Sequence, residues 1–378
     1  MKFDAVDLYL CQLPLVQPVS TFWGEPIDHL ETVLVRVESG EAAGWGEASP
    51  GNAPTAGPEW ARGVFACLED WLAPAVVGKG FESGQALHDA LALVEGNRYA
   101  KAALDTAWWD LQARLREKPL HELLQGRQDV VALGVSFGRM DSIDALLEAM
   151  TEARDAGYSR MEVKFLPGWD LHMLNAVRQT FPTETIHADC EGGLTLENME
   201  ILYRMEDFTL ALIEQPLPAY DLVGHAMVQE ALRTPVALDR SISRLEQADI
   251  ALELHSCHYV NIDPGRVGGL TPAAAIHDLC HDRCTPCWVG AAPQSAVGMR
   301  IGLALASKQN FTYPADFYPE GSLLRQDLAP LPETELLEAD GDNPRRRVAR
   351  MWSEPGLGIE PDAEALDRAT VSHVRIEG

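Results

Sequence analysis

The sequence predicts an α/β protein built on a (β/α) barrel of the TIM type, with an α+β capping domain. Three observations predict it. Between Met161 and Pro264, short apolar runs each end in a charged residue, namely Lys164, Asp189, Glu214, Asp239 and Asp263, spaced 25, 25, 25 and 24 residues apart. That spacing is the length of one strand, one helix and two loops. A charged residue at the carboxyl end of each successive strand marks the rim where a (β/α) barrel keeps its active site. The chain ahead of this region reads as a strand meander followed by helices, an organisation distinct from the alternation that comes after it.

The first strand begins in the alternating stretch Met1–Leu10. Residues 18–28, which hold Thr21, Phe22, Trp23, Gly24 and Pro26, read as a loop. Thr32–Val37, a Glu-Ser-Gly-Glu turn and Ala43–Glu47 give a hairpin signal. A second loop, rich in Gly, Pro, Ser and Asn, spans 48–58, and the two loops are placed to cover a barrel mouth. Helical patterns then run over about 59–72, 83–94 and 99–116, the last with Leu104, Trp108, Leu111 and Leu115 at helical spacing. Strand candidates follow at 132–137, 160–165, 185–189, 210–214, 236–239, 259–263, 287–290 and 311–316, with helical patterns such as 142–156, 171–179 and 271–280 between them. The domains are accordingly 1–126 for the cap and 127–329 for the barrel. An open doubly wound sheet predicts a Gly-rich phosphate turn near its start, and none is present. The tail, 330–378, lacks the alternation, and Arg345-Arg346-Arg347 within it reads as a solvated basic patch.

A length of 378 residues accommodates two domains, or one barrel with an appendage. The formal charge of −27 argues against nucleic acid and against an anionic membrane surface as partners. It leaves room for an anionic small substrate, because a bound cation inverts the sign locally. The N-terminus lacks the apolar block of a signal peptide, and no run approaches the ~18 apolar residues of a membrane span. Seven cysteines without a secretion signal read as reduced thiols in a cytoplasmic protein. Cys280, Cys284 and Cys287, beside His277 and His281, imitate a metal site, but Cys280 falls on a helix and Cys287 at the far end of a strand. Chance clustering of buried thiols is the expectation.

Asp189, Glu214 and Asp239 come from three adjacent strands. Carboxylates crowded at one rim repel unless a cation sits among them, and an all-oxygen donor set suits a hard ion, Mg2+ before Mn2+. The plain alternative makes each acid an ion-pair partner or a helix cap. Lys164 lies one strand earlier, with Glu162 two residues before it and on the same face. A structural Glu162–Lys164 pair is one reading. The other is a base beside a metal, the equipment for removing a proton α to a carboxylate.

Lys164 with Pro167-Gly168-Trp169-Asp170, Asp189, Ile213-Glu214-Gln215-Pro216, Asp239 and Asn261-Ile262-Asp263-Pro264-Gly265-Arg266-Val267-Gly268-Gly269 resemble the enolase superfamily, muconate-lactonising subgroup. Among its members the sequence looks most like o-succinylbenzoate synthases and N-succinylamino acid racemases. The resemblance spans nearly the whole chain, including Asn97-Arg98, Ala107-Trp108-Trp109-Asp110 and Pro355-Gly356-Leu357-Gly358. It implies a (β/α)7β barrel whose cap is completed by the C-terminal segment from about 330 to 378. It also implies Asp189, Glu214 and Asp239 as Mg2+ ligands, Lys164 as a catalytic base, a first loop bearing Trp23 that closes over a small carboxylate substrate, and a homo-oligomer. Ser136, Glu162 and Gln294 are the remaining candidate substrate contacts.

Several positions depart from the resembled pattern. Glu162 stands at the first position of Lys-x-Lys, Asp263 at a lysine facing the substrate opposite the first base, Arg240 at a glutamate and Glu191 at an asparagine. Gly290-Ala291-Ala292-Pro293-Gln294 replaces Gly-Gly-Met-x-Glu, and no histidine stands near Trp288 to pair with Asp263. A racemase needs a base on each face of the substrate carbon, and Asp263 is a poor substitute for the second. The preferred reading is therefore an o-succinylbenzoate synthase-like dehydration with Lys164 as single base. N-succinylamino acid racemase-like or cycloisomerase-like activity is the alternative. A reading from another class is a metal-binding barrel that has lost catalysis and serves as a binding or scaffold protein.

Overall fold

A computed structural model describes residues 1–21, 24–55, 57–341 and 344–378, with side chains left out of account at 19–21, 24 and 25. Trp23, the candidate substrate contact in the first loop, lies outside the described residues. Three antiparallel strands open the chain, β1 (Ala5–Thr21), β2 (Gly24–Ser39) and β3 (Ala42–Ala48). Alternation along β1 serves two cores. Val6, Leu8 and Leu10 face the cap helices, whereas Cys11, Leu13 and Leu15, further along on the opposite face, join the barrel core. The segment 18–28 differs from the expected loop. The β1–β2 ribbon extends into its described residues, with Val19 opposite Ile27 and Thr21 opposite Gly24.

Helices at Ala61–Cys67, Gly84–Leu91 and Arg98–Leu115 complete the cap's helical layer, the first running on as one π-helical turn, Leu68–Leu72. The long helix is buried along most of its length because β3 lies almost on its backbone. A Cβ on Gly46 would stand 2.1 Å from the Ala103 carbonyl oxygen, so no larger residue fits there.

Seven parallel strands follow in sequence order: β4 (Val130–Phe137), β5 (Arg160–Lys164), β6 (Ile186–Asp189), β7 (Ile213–Glu214), β8 (Val236–Leu238), β9 (Tyr259–Asn261) and β10 (Cys287–Trp288). The eighth, β11 (Ala315–Asp316), pairs with β4 at Leu133 and Gly134, and Phe311 bridges back to Cys287 of β10, which closes the barrel. Several strands are only two or three residues long, because the chain leaves the ladder immediately at the charged rim.

The tail, although it lacks βα alternation, forms two further pieces of sheet. A hairpin of β12 (Thr334–Leu337) and β13 (Arg346–Arg350) adds antiparallel to β4, and β14 (Thr370–Glu377) pairs with β1 at the edge of the cap sheet. Arg346 and Arg347 lie within β13. The Arg347 guanidinium donates to the Ala156 carbonyl (2.7 Å) and lies over the Tyr158 ring, so this part of the basic run is a packing contact.

Two carboxylates of the cap hold it to the barrel by taking helix N-termini. Glu47 accepts from the Ser295 and Gly298 amides (3.0 and 2.7 Å) at the start of helix Ala296–Ala306. Asp105 accepts from the Thr271 amide and hydroxyl (3.0 and 2.5 Å) at the start of helix Leu270–Asp282. Gly269, at φ +122°, lets the chain pass so close to Asp105 that a Cβ there would meet its Oδ2 at 2.3 Å. Among the described residues no helix is long and apolar enough to cross a membrane.

Burial pushes the Asp105 carboxyl up from the ordinary 3.8 to about 7, against the pull of its Thr271 and Leu270 donors. A raised acid favours the folded state while protonated and loses that contribution as pH climbs through the folded value. Stability measured by urea unfolding should therefore fall between about pH 4 and about pH 7. Asp105→Asn should flatten that fall by on the order of 2–4 kcal/mol, since each tenfold change in a protonation equilibrium is worth ~1.4 kcal/mol. An unchanged slope in the variant would show that Asp105 stays ionised throughout.

Candidate active site

The site is built in layers, and the strand register defines them. Lys164, Asp189 and Glu214 are lateral neighbours across β5, β6 and β7 and form the rim. One inward-facing layer below, Ser136, Glu162 and His187 are lateral neighbours across β4, β5 and β6. Arg160, fully buried, lies below Glu162. The alternate residues Met161 and Val163 face the outer core, as the period of two requires. Asp239 follows β8 and Asp263 follows β9, so the five charged strand ends do share one rim. Beside the rim, Glu191 (φ +50°) and Gln215 (φ +39°) hold left-handed backbone conformations that turn the chain off the ends of β6 and β7.

Lys164 is clamped. Its Nζ lies 2.6 Å from Asp189 Oδ2, 2.9 Å from Glu162 Oε1 and 3.2 Å from Glu191 Oε1. Burial pulls the ammonium toward its neutral form, but the carboxylates of Asp189, Glu162 and Glu191 overcome that and hold its pKa well above the ordinary lysine value. Arg240 Nη2 stands 3.4 Å from the other Glu191 oxygen. Glu214 accepts from Asn261 Nδ2 (2.9 Å), and the Asp239 amide donates to Gln215 Oε1 (3.1 Å). Burial, reinforced by the charges of Glu162 and Asp239, pushes the Glu214 carboxyl well above the usual carboxylate range.

Asp263 occupies the rung opposite Lys164, four strands away around the barrel, but its oxygens are engaged. Oδ1 accepts from the Gly265 amide (2.8 Å), capping the short helix Pro264–Val267. Oδ2 accepts from the Tyr99 hydroxyl (3.1 Å) and from Arg266 (3.2 Å), which also pairs with Asp239. Glu162 is engaged as well. Its Oε2 accepts from Ser136 Oγ (2.7 Å) and Arg160 Nη1 (3.0 Å), so Ser136 and Glu162 face each other beneath the rim. Gln294 is half-buried on the segment after β10, packed over Gly298.

Seven carboxylates (Glu162, Asp189, Glu191, Glu214, Asp239, Asp263 and Asp316) meet four cationic side chains (Arg160, Lys164, Arg240 and Arg266) in this network. The excess of negative charge and the raised Glu214 suit a cation, and the oxygen-only donors of Asp189, Glu214 and Asp239 are of the type a hard divalent ion takes, although Asp189 is here paired with Lys164 and Asp239 with Arg266.

Sequence reasoning did not single out Arg160, His187, Asn261, Tyr99 or Arg266. A signal existed for His187, which stands two residues before Asp189 just as Glu162 stands two before Lys164. None existed for Tyr99, which arrives from the cap. The cysteine cluster takes no metal geometry. Cys280 and Cys287 are buried, Cys284 is exposed, and His277 is occupied by Asp278 and by the Asn310 amide. Among the described residues, the side chains whose donor atoms converge as a metal would need are Glu162, His187 and Glu214.

Two family models match the chain: "Mandelate racemase / muconate lactonizing enzyme, N-terminal domain" over residues 11–125 and "Enolase C-terminal domain-like" over residues 145–365. An o-succinylbenzoate synthase of Geobacillus kaustophilus is 35% identical over 371 residues, 98% of this chain and 96% of that protein. An N-succinylamino acid racemase of Amycolatopsis sp is 34% identical over 377 residues, covering all of both chains. The crystal structure of an enolase superfamily member from Listeria innocua superposes with a TM-score of 0.92 over the whole chain and 99% of its own, at 26% identity. Mg2+ binding is typical of the family. With both domain models matched in order and full-length relatives above 30% identity, this chain belongs to the mandelate racemase/muconate lactonizing enzyme family of the enolase superfamily.

Proposed function

We propose that this protein removes the proton α to the carboxylate of a small substrate and completes a dehydration like that of o-succinylbenzoate synthase, with Lys164 as its single base. One observation carries the choice. Of the two faces a substrate would present, the one toward β5 meets the amine of Lys164, while the one toward β9 meets a carboxylate already holding Tyr99, Arg266 and the Gly265 amide. A reaction needing a base on each face lacks its second base, and a one-base elimination does not need it.

In that reaction Lys164 Nζ takes the α-proton, the C–O bond on the neighbouring carbon breaks as the double bond forms, and the protonated lysine returns the proton to the departing hydroxide as water. A Mg2+ ion (or Mn2+) held by Asp189, Glu214 and Asp239 would stabilise the charge developing on the substrate carboxylate. Asn261 orients Glu214, Arg266 orients Asp239, and the Gln215 side chain fixes the Asp239 backbone. Ser136 and Arg160 set Glu162, which with Glu191 sets the position of the Lys164 amine. A second reading, a metal-binding barrel without turnover, is favoured by the same clamp, since an ammonium held by three carboxylates resists deprotonation.

In D2O with Mg2+ and a panel of small carboxylates bearing a β-hydroxyl, wild type should exchange its α-proton, and Lys164→Ala should lose that exchange by at least ~100-fold. Absence of exchange in wild type, with Mg2+ bound by calorimetry, selects the non-catalytic barrel. Racemisation of an N-acylamino acid would restore Asp263 as a second base. Tyr99→Phe removes only the donor to Asp263 and should cost about 1–3 kcal/mol in thermal unfolding, while Asp263→Asn should leave α-proton exchange within about tenfold of wild type. A collapse of exchange in Asp263→Asn contradicts the single-base scheme.

A further inference from the structure

The layer beneath the rim holds a group that the proposed reaction does not use. His187 is fully buried at the barrel axis. Its Nε2 stands 3.2 Å from Glu162 Oε2 and 3.2 Å from Glu214 Oε2, in ion-pair range of both carboxylates but without a well-aligned hydrogen bond to either. Its Nδ1 is held by the Tyr313 hydroxyl at 3.1 Å, which orients the ring as an outer partner orients a ligating imidazole. A divalent ion with bonds of about 2.0–2.1 Å to a histidine nitrogen and two carboxylate oxygens sets its donors roughly 3–3.4 Å apart. The observed separations of Nε2 from both oxygens fall in that range, and the three donor atoms all lie within 4.8 Å of one another.

We propose that Glu162, His187 and Glu214 form an inner metal site, one layer below the rim carboxylates, for a borderline ion such as Zn2+, Co2+ or Mn2+. The donor set separates it chemically from the rim. One imidazole with two carboxylates suits such an ion, whereas Asp189, Glu214 and Asp239 offer only oxygen. Glu214 belongs to both sets, so the two positions share one carboxylate. Glu162 Oε2 already accepts from Ser136 and from Arg160, and Arg160 also pairs with Asp316. Loading the inner site therefore requires Arg160 to turn fully toward Asp316, and the Ser136 hydroxyl to rotate away or to present its oxygen to the ion.

The test is Co2+ binding to the metal-free full chain in excess Mg2+, followed by visible absorption, paramagnetically shifted histidine resonances and metal content after dialysis. One Co2+ per chain with an imidazole ligand is expected. Affinity should fall by at least tenfold in His187→Gln and in Glu162→Gln, and remain within about threefold of wild type in Asp239→Asn. Near-UV circular dichroism checks that each variant is folded, and the two inner variants give independent readings if one is not. No Co2+ retained in Mg2+, a site that survives both inner substitutions, or a site lost in Asp239→Asn alone overturns the proposal. These readouts do not depend on turnover, so they stand apart from the proposed dehydration.

Discussion

Too many carboxylates converge on one end of a closed barrel. Each strand end delivers its acid to the same low-dielectric space, and seven acids meet four cations there. The rest of the site follows from how that excess is handled. Lys164 is drawn into contact with three carboxylates, Arg266 is divided between Asp239 and Asp263, and Arg160 between Glu162 and Asp316. Glu214, which accepts from the Asn261 amide and among the described residues pairs with no lysine or arginine, is pushed well toward its neutral form by burial and by the charges of Glu162 and Asp239. Protonation of Glu214 or a divalent cation would each bring such a cluster nearer balance, and the rim acids offer only oxygen donors.

The cap contributes more than a cover. Its carboxylates Glu47 and Asp105 occupy the N-termini of two barrel helices, and Tyr99 at the start of its long helix reaches Asp263. These contacts tie the position of the β9 rim to that of the cap, and through Arg266 to Asp239. The cost is visible at Asp105, a buried acid that retains its charge only with difficulty and is kept because the helix end needs an acceptor. The segment between β10 and helix Ala296–Ala306, which carries Gln294, is pinned on the same side through Ser295 and Glu47.

Glu162 and Asp263 stand where the resembled sequence pattern has lysines, and both are satisfied by local partners. Glu162 is balanced by Arg160 beneath it and Lys164 above it. Asp263 caps a four-residue helix and receives a phenol. Neither is a loose charge, so the departures from the family pattern are absorbed by the fold without strain at those positions. They redistribute charge around Lys164 and leave one side of the barrel mouth without a mobile base.

The spacing of charged strand ends, the inward alternation of β5 and the contrast between meander and βα repeats are local patterns, and they suffice for the barrel and for the placing of Lys164, Asp189 and Glu214 side by side at its rim. The short strands blurred the boundaries, and β13 and β14 of the tail were invisible because they pair with β4 and β1, two hundred or more residues away. Sequence separation also hid the site's pairings. Tyr99 meets Asp263 across 164 residues, and His187 meets Tyr313 across 126. Residue type and position along a strand say which atoms can face the barrel axis, and the sequence determines that much alone. Which of those atoms touch, and so whether a carboxylate caps a helix, clamps a lysine or stands open to an ion, depends on how the strands close around one another, and only the tertiary structure decides it.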